Sequence, residues 1–117
     1  VDLDAVADPV GEPWLLTDGV GDGWLDAIAV DACDTLYVLD SWTASLYRVS
    51  PGGDVEPWID WSADDGQYGH AAVWGSGIGG WRSDALYMPM PYGGERVKEL
   101  VIGVPPRTWP GEVVNGP

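Results

Sequence analysis

Several residue types are scarce in this sequence, and each scarcity excludes something. Among 117 residues there is no Phe, one Cys, one His and only five Lys and Arg. The single Cys33 excludes an internal disulfide, and the single His70 excludes a multi-histidine metal site within one chain. The five basic residues face 19 acidic ones, which gives a net charge of −14. Such a field repels phosphates and anionic lipids, so we expect no binding to nucleic acid or to a membrane surface.

Long apolar runs and helical periodicity are also lacking. No stretch approaches the roughly eighteen apolar residues of a membrane-spanning helix, and every apolar segment is short and bounded by Gly, Pro or Asp. The chain begins at Val1 without a signal-peptide pattern, so we expect a processed or excised segment. No targeting motif in the given sequence identifies a compartment. Its acidic character favours a secreted or periplasmic setting.

What the sequence does contain is a succession of short strand patterns, clearest in residues 24–61. The first is a continuous apolar run, which predicts an inner strand buried on both faces. The second and third are rich in side chains that favour strands, and Asp, Ser, Gly and Pro mark the turns. The fourth is predicted to be an edge strand, because Pro57 cannot donate to a ladder. The four predicted strands are residues 27–30, 36–39, 46–49 and 55–61.

This strand pattern repeats along the chain. The triplet Glu-Pro-Trp at 12–14 recurs at 56–58, a shift of 44 residues (56 − 12). The pair Leu-Tyr at 36–37 recurs at 86–87, a shift of 50 (86 − 36), so six residues (50 − 44) are inserted around 75–83. A period of roughly 40–45 residues is typical of four-stranded propeller blades.

We therefore predict an all-β fold built from four-stranded antiparallel β-propeller blades, as an incomplete propeller of about two and a half blades. Propellers close with roughly 4 to 8 blades. The chain alone would leave two sheet faces bare, so we expect copies of itself or a complementary propeller chain to complete it. The predicted parts are residues 1–20 with the outer strands of one blade, 24–61 as a complete blade, 68–104 as a second blade, and 105–117 as a Pro-rich tail or closing strand.

One face of these predicted blades collects acidic and aromatic side chains. Because successive strands are antiparallel, the loop into the first strand and the loop between the second and third strands lie at the same end. We expect this end to bind a small molecule, a carbohydrate or a cation. Packing between blades is the alternative explanation of the eight Trp, and solubility that of the acidic residues. The predicted ligand-binding residues are Trp24, Trp42, Tyr68, Tyr92 and Asp40.

The most regular part of the sequence resembles a known repeat. The motifs WLDAIAVD (24–31), LYVLDS (36–41) and LYRV (46–49), followed by a PGG turn, resemble the blade of the gluconolactonase, senescence-marker-protein and NHL-repeat β-propeller superfamily. The resemblance covers residues 24–61 well and residues 68–104 more loosely. It implies a propeller fold, and because such propellers include lactonases, lyases and scaffolds, it does not fix one function.

For the lactonase branch, the resemblance implies a divalent cation such as calcium on the propeller axis, held by side chains that precede inner strands. Those positions here are Asp26 and His70, which should point to the axis from one face. A carboxylate suits calcium, whereas an imidazole suits zinc, iron or copper better. Asp22 is a further candidate metal ligand, with a solvated loop as the alternative. His70 is interpreted either as a metal ligand or general base, or as a structural hydrogen-bonding residue.

Three functions from different classes follow. The first is a propeller segment that binds a small ligand or cation on its acidic, Trp/Tyr-rich face. The second is part of a metal-dependent lactonase-like hydrolase that uses Asp26 and His70, and the third is a purely structural assembly module. A serine hydrolase is rejected because no Ser lies in a nucleophile elbow. The glycines at 75, 77 and 80 match the dinucleotide fingerprint, but a strand rather than a helix is predicted after them.

Overall fold

The computed structural model of the chain describes residues 15–63, 69–90 and 96–108. Within these ranges the fold is all-β, with seven strands in two antiparallel sheets and no helix. The all-β prediction is confirmed. In the described residues no helix is long and apolar enough to cross a membrane.

The first sheet has four strands, each hydrogen-bonded to the next one along the chain. Their order in the sheet is therefore the order in the sequence. The turns are short because their residues accept tight backbone geometry: Asp34 adopts φ 64° between the first two strands, and Gly53 adopts φ 90° between the last two. The strands are β1 (Leu25–Val30), β2 (Leu36–Asp40), β3 (Ser45–Val49) and β4 (Val55–Asp60).

Pro57 lies in β4, which forms one edge of this sheet, and the prediction of an edge strand is confirmed. The pairing of β3 with β4 shifts register between Leu46 and Tyr47, so that Leu46 faces Ile59 and Tyr47 faces Pro57. A proline and a bulge are both tolerated at an edge, where fewer ladder hydrogen bonds are required.

The second sheet has three strands in the order β5, β6, β7: β5 (Val73–Trp74), β6 (Ala85–Met90) and β7 (Arg96–Val101). β5 is shorter than the predicted strand 70–74, and Pro89 of β6 supplies the reason. The carbonyl of Pro89 accepts the His70 N–H at 3.4 Å and therefore points towards β5. In an antiparallel ladder the nitrogen and the carbonyl of one residue face the same neighbouring strand, so the Pro89 nitrogen, which carries no hydrogen, also faces β5. The ladder between β5 and β6 therefore does not extend to His70.

The two sheets repeat the same register between their first two strands. In the first sheet Ala29 faces Tyr37, and in the second Val73 faces Tyr87. Val73 lies 44 positions after Ala29 (73 − 29), and Tyr87 lies 50 after Tyr37 (87 − 37), which are the two shifts found in the sequence. The six extra residues fall in the glycine-rich connection from β5 to β6, which leads into a strand and not into a helix.

The hydrophobic core lies between the sheets. The Tyr37 ring of the first sheet meets the Trp74 ring of the second edge-on, with 6.2 Å between centroids. Trp74, Leu100 and Ile102 pack around the buried cluster as partly buried neighbours. The buried cluster itself contains Ala29, Tyr37, Leu39, Ala44, Leu46, Trp61, Leu86, Met88 and Met90.

Both sheets also carry apolar side chains on the faces that point away from this core. Ile28 of β1 is 61% exposed, because it alternates with Ala27 and Ala29, which face the second sheet. The prediction that this strand is buried on both faces is therefore wrong for the described chain. On the second sheet, Val73 is 59% exposed and Val97 is 65% exposed.

After β7 the chain returns to the first sheet. The carbonyl of Pro105 accepts the Ala32 N–H at 2.8 Å, and the Arg107 N–H donates to the carbonyl of Val30 at 3.1 Å. We predicted that the prolines here would break any ladder, and an isolated antiparallel bridge between Asp31 and Pro106 forms nonetheless. A proline lacks only the donor, so its carbonyl can still accept. The predicted closing strand at 112–114 and most of the predicted outer strands at 1–20 lie outside the described residues, and residues 15–20 form no strand.

Candidate functional site

The candidate site lies at the end of the first sheet where β1 begins and where β2 turns into β3. The carboxylate of Asp40, the last residue of β2, holds these two loops together. Its Oδ2 accepts the N–H of Asp22 at 2.9 Å, and its Oδ1 accepts the N–H of Trp42 at 3.0 Å and that of Thr43 at 3.3 Å. Asp40 is fully buried. Its carboxylate joins the two loops through these three hydrogen bonds, which we call the Asp40 latch.

Glycine at position 21 makes this latch possible. Gly21 adopts φ 67°, in the left-handed region that favours glycine. A side chain at this position would also overlap the Asp40 carboxylate. The backbone can therefore bring the Asp22 N–H to Asp40 only if residue 21 has no Cβ.

The latch fixes a pair of exposed tryptophans. The Trp24 and Trp42 rings lie 5.4 Å apart between centroids at an interplanar angle of 57°. They are 62% and 61% exposed. The Ser41 N–H donates to the Trp24 carbonyl at 2.8 Å, and a side chain at position 23 would overlap Trp42. Two large apolar surfaces are thus held in water by the backbone beneath them, an unusual arrangement that favours a binding role.

The charge state of Asp40 follows from its surroundings. Burial alone would raise the pKa of this carboxyl, but the hydrogen bonds from Asp22, Thr43 and Trp42 outweigh burial and hold the pKa below its ordinary value. The carboxylate is therefore ionised at neutral pH, and its negative charge is matched by backbone dipoles. Both oxygens of Asp40 accept backbone hydrogen bonds, so this residue has a structural role, and its predicted role in ligand binding stays a prediction.

Asp26 and His70 meet between the two sheets. Oδ2 of Asp26 lies 2.7 Å from Nδ1 of His70, and each side chain is about one-third exposed (35% and 37%). Strand alternation would place Asp26 on the side of Ile28, away from the second sheet. The β1 ladder shifts register between Leu25 and Ala27, and this bulge lets Asp26 turn towards His70.

This pair supplies two of the donors that a cation requires. In the described ranges no group of three or more His, Cys, Asp or Glu side chains is arranged to hold a metal. Asp22 contributes its backbone N–H to Asp40, and its side chain is exposed. A cation held at this pair would therefore need ligands beyond these two side chains.

The other predicted site residues, Tyr68 and Tyr92, lie outside the described residues. The structure brings Trp24 together with Trp42, and Asp26 together with His70. Sequence reasoning placed all of these on one face but did not identify which side chains touch. Contacts between loops depend on bulges and positive-φ glycines, whose effect on side-chain direction is not visible in an alternating pattern.

Sequence reasoning missed a polar cluster at the opposite end of the first sheet. The Tyr37 hydroxyl donates to Oδ2 of buried Asp31 at 2.8 Å, and burial followed by this hydrogen bond raises the pKa of Tyr37. Arg48 stacks over the Trp58 ring at 4.8 Å and pairs with Glu56 at 2.6 Å. These residues line a cavity of about 410 Å³. The side chains of Asp31, Tyr37, Arg48 and Glu56 all have partners within the chain, so we interpret the cluster as structural.

The Asp40 latch generates a prediction about stability and pH. Asp40→Asn leaves a single acceptor oxygen for three N–H groups, so we expect the free energy of unfolding at pH 7 to fall by about 1–3 kcal/mol. Because the folded pKa is lowered, the stabilising contribution is complete above the ordinary Asp pKa of about 3.9. It is lost as pH falls through the folded pKa. The difference between wild type and variant should therefore shrink on acidification.

Urea unfolding at pH 7 and at about pH 3 measures this difference. Asp54→Asn, which changes an exposed carboxylate, is the matched control and should be close to neutral at both values. An Asp40→Asn variant as stable as wild type at pH 7, or a difference that does not change with pH, would contradict the latch.

Comparisons of the chain with protein-family models, with curated proteins and with solved structures gave no match. The resemblance to the gluconolactonase and NHL-repeat superfamily therefore stays a prediction from the sequence. The geometry on which a function can be argued is the exposed pair Trp24 and Trp42, the contact of Asp26 with His70, and the two apolar outer faces.

Proposed function

We propose that this chain is a β-propeller segment that binds a small ligand on its acidic, tryptophan-bearing end. Two antiparallel sheets that follow one another in the sequence, repeat one register and pack face to face support the propeller interpretation. The sequence resemblance supports it as well. In this proposal the four-stranded sheet is one blade and the three-stranded sheet belongs to the next.

The exposed pair of Trp24 and Trp42 carries the ligand-binding proposal. An indole in water loses the free energy that burial of its apolar surface would provide, about 25 cal/mol per Å². Here the hydrogen bonds of Asp40 and Ser41 hold together the two loops that carry the rings. A ligand that covers the two rings recovers this free energy without ordering any loop, because the loops are already fixed.

The chemistry of the surroundings narrows the ligand to two classes. Indole faces bind the C–H faces of sugars through apolar contact, and they are the best aromatic partners for organic cations. The exposed carboxylates of Asp18, Asp22 and Asp26 lie on the loop and strand that flank Trp24. Together with the net charge of −14, they attract cations and repel anionic ligands.

The test uses one cationic and one neutral probe, choline and cellobiose, titrated while indole fluorescence is followed. We expect saturable binding of at least one probe. Trp42→Ala should weaken it by roughly fivefold, since one exposed cation–π contact contributes about 1 kcal/mol. Trp81→Ala is the matched control, because Trp81 is 57% exposed and lies in the connection from β5 to β6. Absence of binding by both probes, or equal binding by wild type and Trp42→Ala, would refute the proposal.

A second candidate function is part of a metal-dependent lactonase-like hydrolase, and the contact between Asp26 and His70 favours it. A carboxylate at 2.7 Å from Nδ1 orients the imidazole ring. Such a pair suits a general base, or two ligands of a shared cation. The described residues do not complete a cation site, so we propose no reaction step that passes through a metal.

Calorimetric titration of calcium and of zinc into wild type and into Asp26→Ala tests this candidate. If the pair holds a cation, wild type should give saturable heat with one of the metals, and Asp26→Ala should lose most of the affinity. Asp18→Ala is the control for unspecific binding to exposed carboxylates. Equal heats for all three proteins, or no heat in wild type, would eliminate the hydrolase candidate.

A further inference from the structure

The two sheets of this chain dock through unlike faces. In the first sheet, Ala29 and Tyr37 lie opposite each other on the face that packs into the core. In the second sheet, the corresponding pair on the core side is Trp74 and Leu86. Neighbouring residues of a strand point to opposite faces of the sheet. In each sheet the Leu and the Tyr of the repeated Leu-Tyr pair therefore lie on opposite faces. We call these the tyrosine face and the leucine face.

The internal repeat assigns the same two faces to both sheets. Tyr87 is equivalent to Tyr37, and Leu86 is equivalent to Leu36, because the pair Leu-Tyr recurs with the same strand register. Within the chain, the tyrosine face of the first sheet is covered by the leucine face of the second. Within residues 15–63, 69–90 and 96–108, one tyrosine face and one leucine face are then not covered by the other sheet, and they lie on different sheets.

The remaining leucine face, on the first sheet, exposes apolar surface along β1. Ile28 is 61% exposed, and Leu25 is half exposed. Between β1 and the segment 16–20 lies a groove of about 390 Å³. Apolar side chains predominate in its lining, with Leu16, Val20, Leu25, Ile28, Leu36 and Val38 among them.

The remaining tyrosine face, on the second sheet, exposes apolar side chains around Tyr87 and Ala85, which are themselves buried. Val97 and Val73 are 65% and 59% exposed, and Val101 is about half exposed. Tyr87, on this face, contacts the Trp81 ring edge-on at 5.0 Å and donates its hydroxyl to Glu99 at 2.6 Å. Its equivalent Tyr37 has the same kind of environment, with a Trp ring at its edge and its hydroxyl on a carboxylate. Trp81 therefore covers Tyr87 from within the same chain, and the apolar side chains left exposed on this face are Val73, Val97 and Val101.

We propose that a second copy of this chain docks the leucine face of its first sheet onto the tyrosine face of the second sheet. The contact between copies would repeat the contact that already joins the two sheets within one chain. It is heterologous, so it can continue into a closed ring or a longer assembly. This inference rests on the proposed propeller segment, and it does not depend on the ligand at Trp24 and Trp42.

The high negative charge of the chain predicts how its association depends on salt concentration. Each copy carries a net charge of −14, so two copies repel each other, and an apolar contact must overcome that repulsion. Salt screens repulsion between exposed charges, with a Debye length of about 10 Å at 0.1 M and about 3 Å at 1 M. We therefore expect association to strengthen as salt is added, the opposite of an association that depends on ion pairs.

Sedimentation velocity on wild type, Ile28→Glu and Val97→Glu tests the proposal. Wild type should associate reversibly, and more strongly at about 0.5 M than at about 0.05 M NaCl. Each variant alone should associate at least about tenfold more weakly, because a charge is placed at the centre of an apolar contact. Ile78→Glu is the matched control, since it introduces the same charge at an exposed Ile in the connection from β5 to β6. It should associate like wild type.

Mixing the two variants distinguishes this arrangement from other dimers. Ile28→Glu keeps an intact tyrosine face on its second sheet, and Val97→Glu keeps an intact leucine face on its first sheet. An equimolar mixture should form a one-to-one complex that grows no further, because both of its outer faces are blocked. Recovery in the mixture also shows that both variants are folded.

A wild type that stays monomeric at every salt concentration would overturn the proposal. So would an Ile78→Glu variant that fails to associate, or a mixture that stays monomeric. The result is separable from the ligand test, because Trp42 lies at the end of the first sheet while Ile28 and Val97 lie on faces. Loss of ligand binding with intact association would refute only the proposed function of the tryptophan pair.

Discussion

The contact between the two sheets is the constraint on which the rest of the structure depends. A single small sheet cannot bury both its faces. Each sheet here buries one face only by packing against the other sheet. Leu39 and Leu46 on one side, and Leu86 and Met88 on the other, are almost fully buried as a result. The dense acidic charge works against compaction, so apolar packing between the sheets must supply most of the stability.

The candidate site follows from this contact. Once the sheets pack face to face, Asp26 near the start of β1 lies next to His70, which precedes β5, with 2.7 Å between Oδ2 and Nδ1. The same end of the first sheet carries the loops that Asp40 joins. A buried carboxylate bound to backbone N–H groups fixes the loops, and the loops fix Trp24 and Trp42.

Much of the fold could be predicted from the sequence, because it depends on local pattern. Alternation, turn residues and Pro57 placed four strands in residues 24–61, and the repeat placed the second sheet after an insertion. The short β5 was missed although its cause, Pro89, is visible in the sequence. Predicting the short β5 required knowing that the Pro89 nitrogen, which has no hydrogen to donate, faces β5 and not β7.

The contacts of the site were predicted less completely, for physical reasons. Asp26 and His70 were predicted to point the same way, but the bulge that turns Asp26 leaves no trace in composition. Asp40 was predicted to bind a ligand, because the loop that it begins lies at the acidic, aromatic end of the predicted blade. The contacts of its carboxylate depend on Gly21, nineteen positions earlier in the chain (40 − 21), whose conformation brings the Asp22 N–H to the carboxylate. Side-chain roles of this kind are set by tertiary contacts and not by local pattern.

The most direct test of the packing between the sheets is a nuclear Overhauser spectrum of the aromatic side chains. The account predicts cross-peaks between the Tyr37 ring and the Trp74 indole, whose centroids lie 6.2 Å apart across the two sheets. Cross-peaks between Tyr37 and Trp58, at 5.6 Å within the first sheet, serve as the internal reference. Reference peaks without any peak from Tyr37 to Trp74 would show that the sheets do not pack in this way, and would contradict the account.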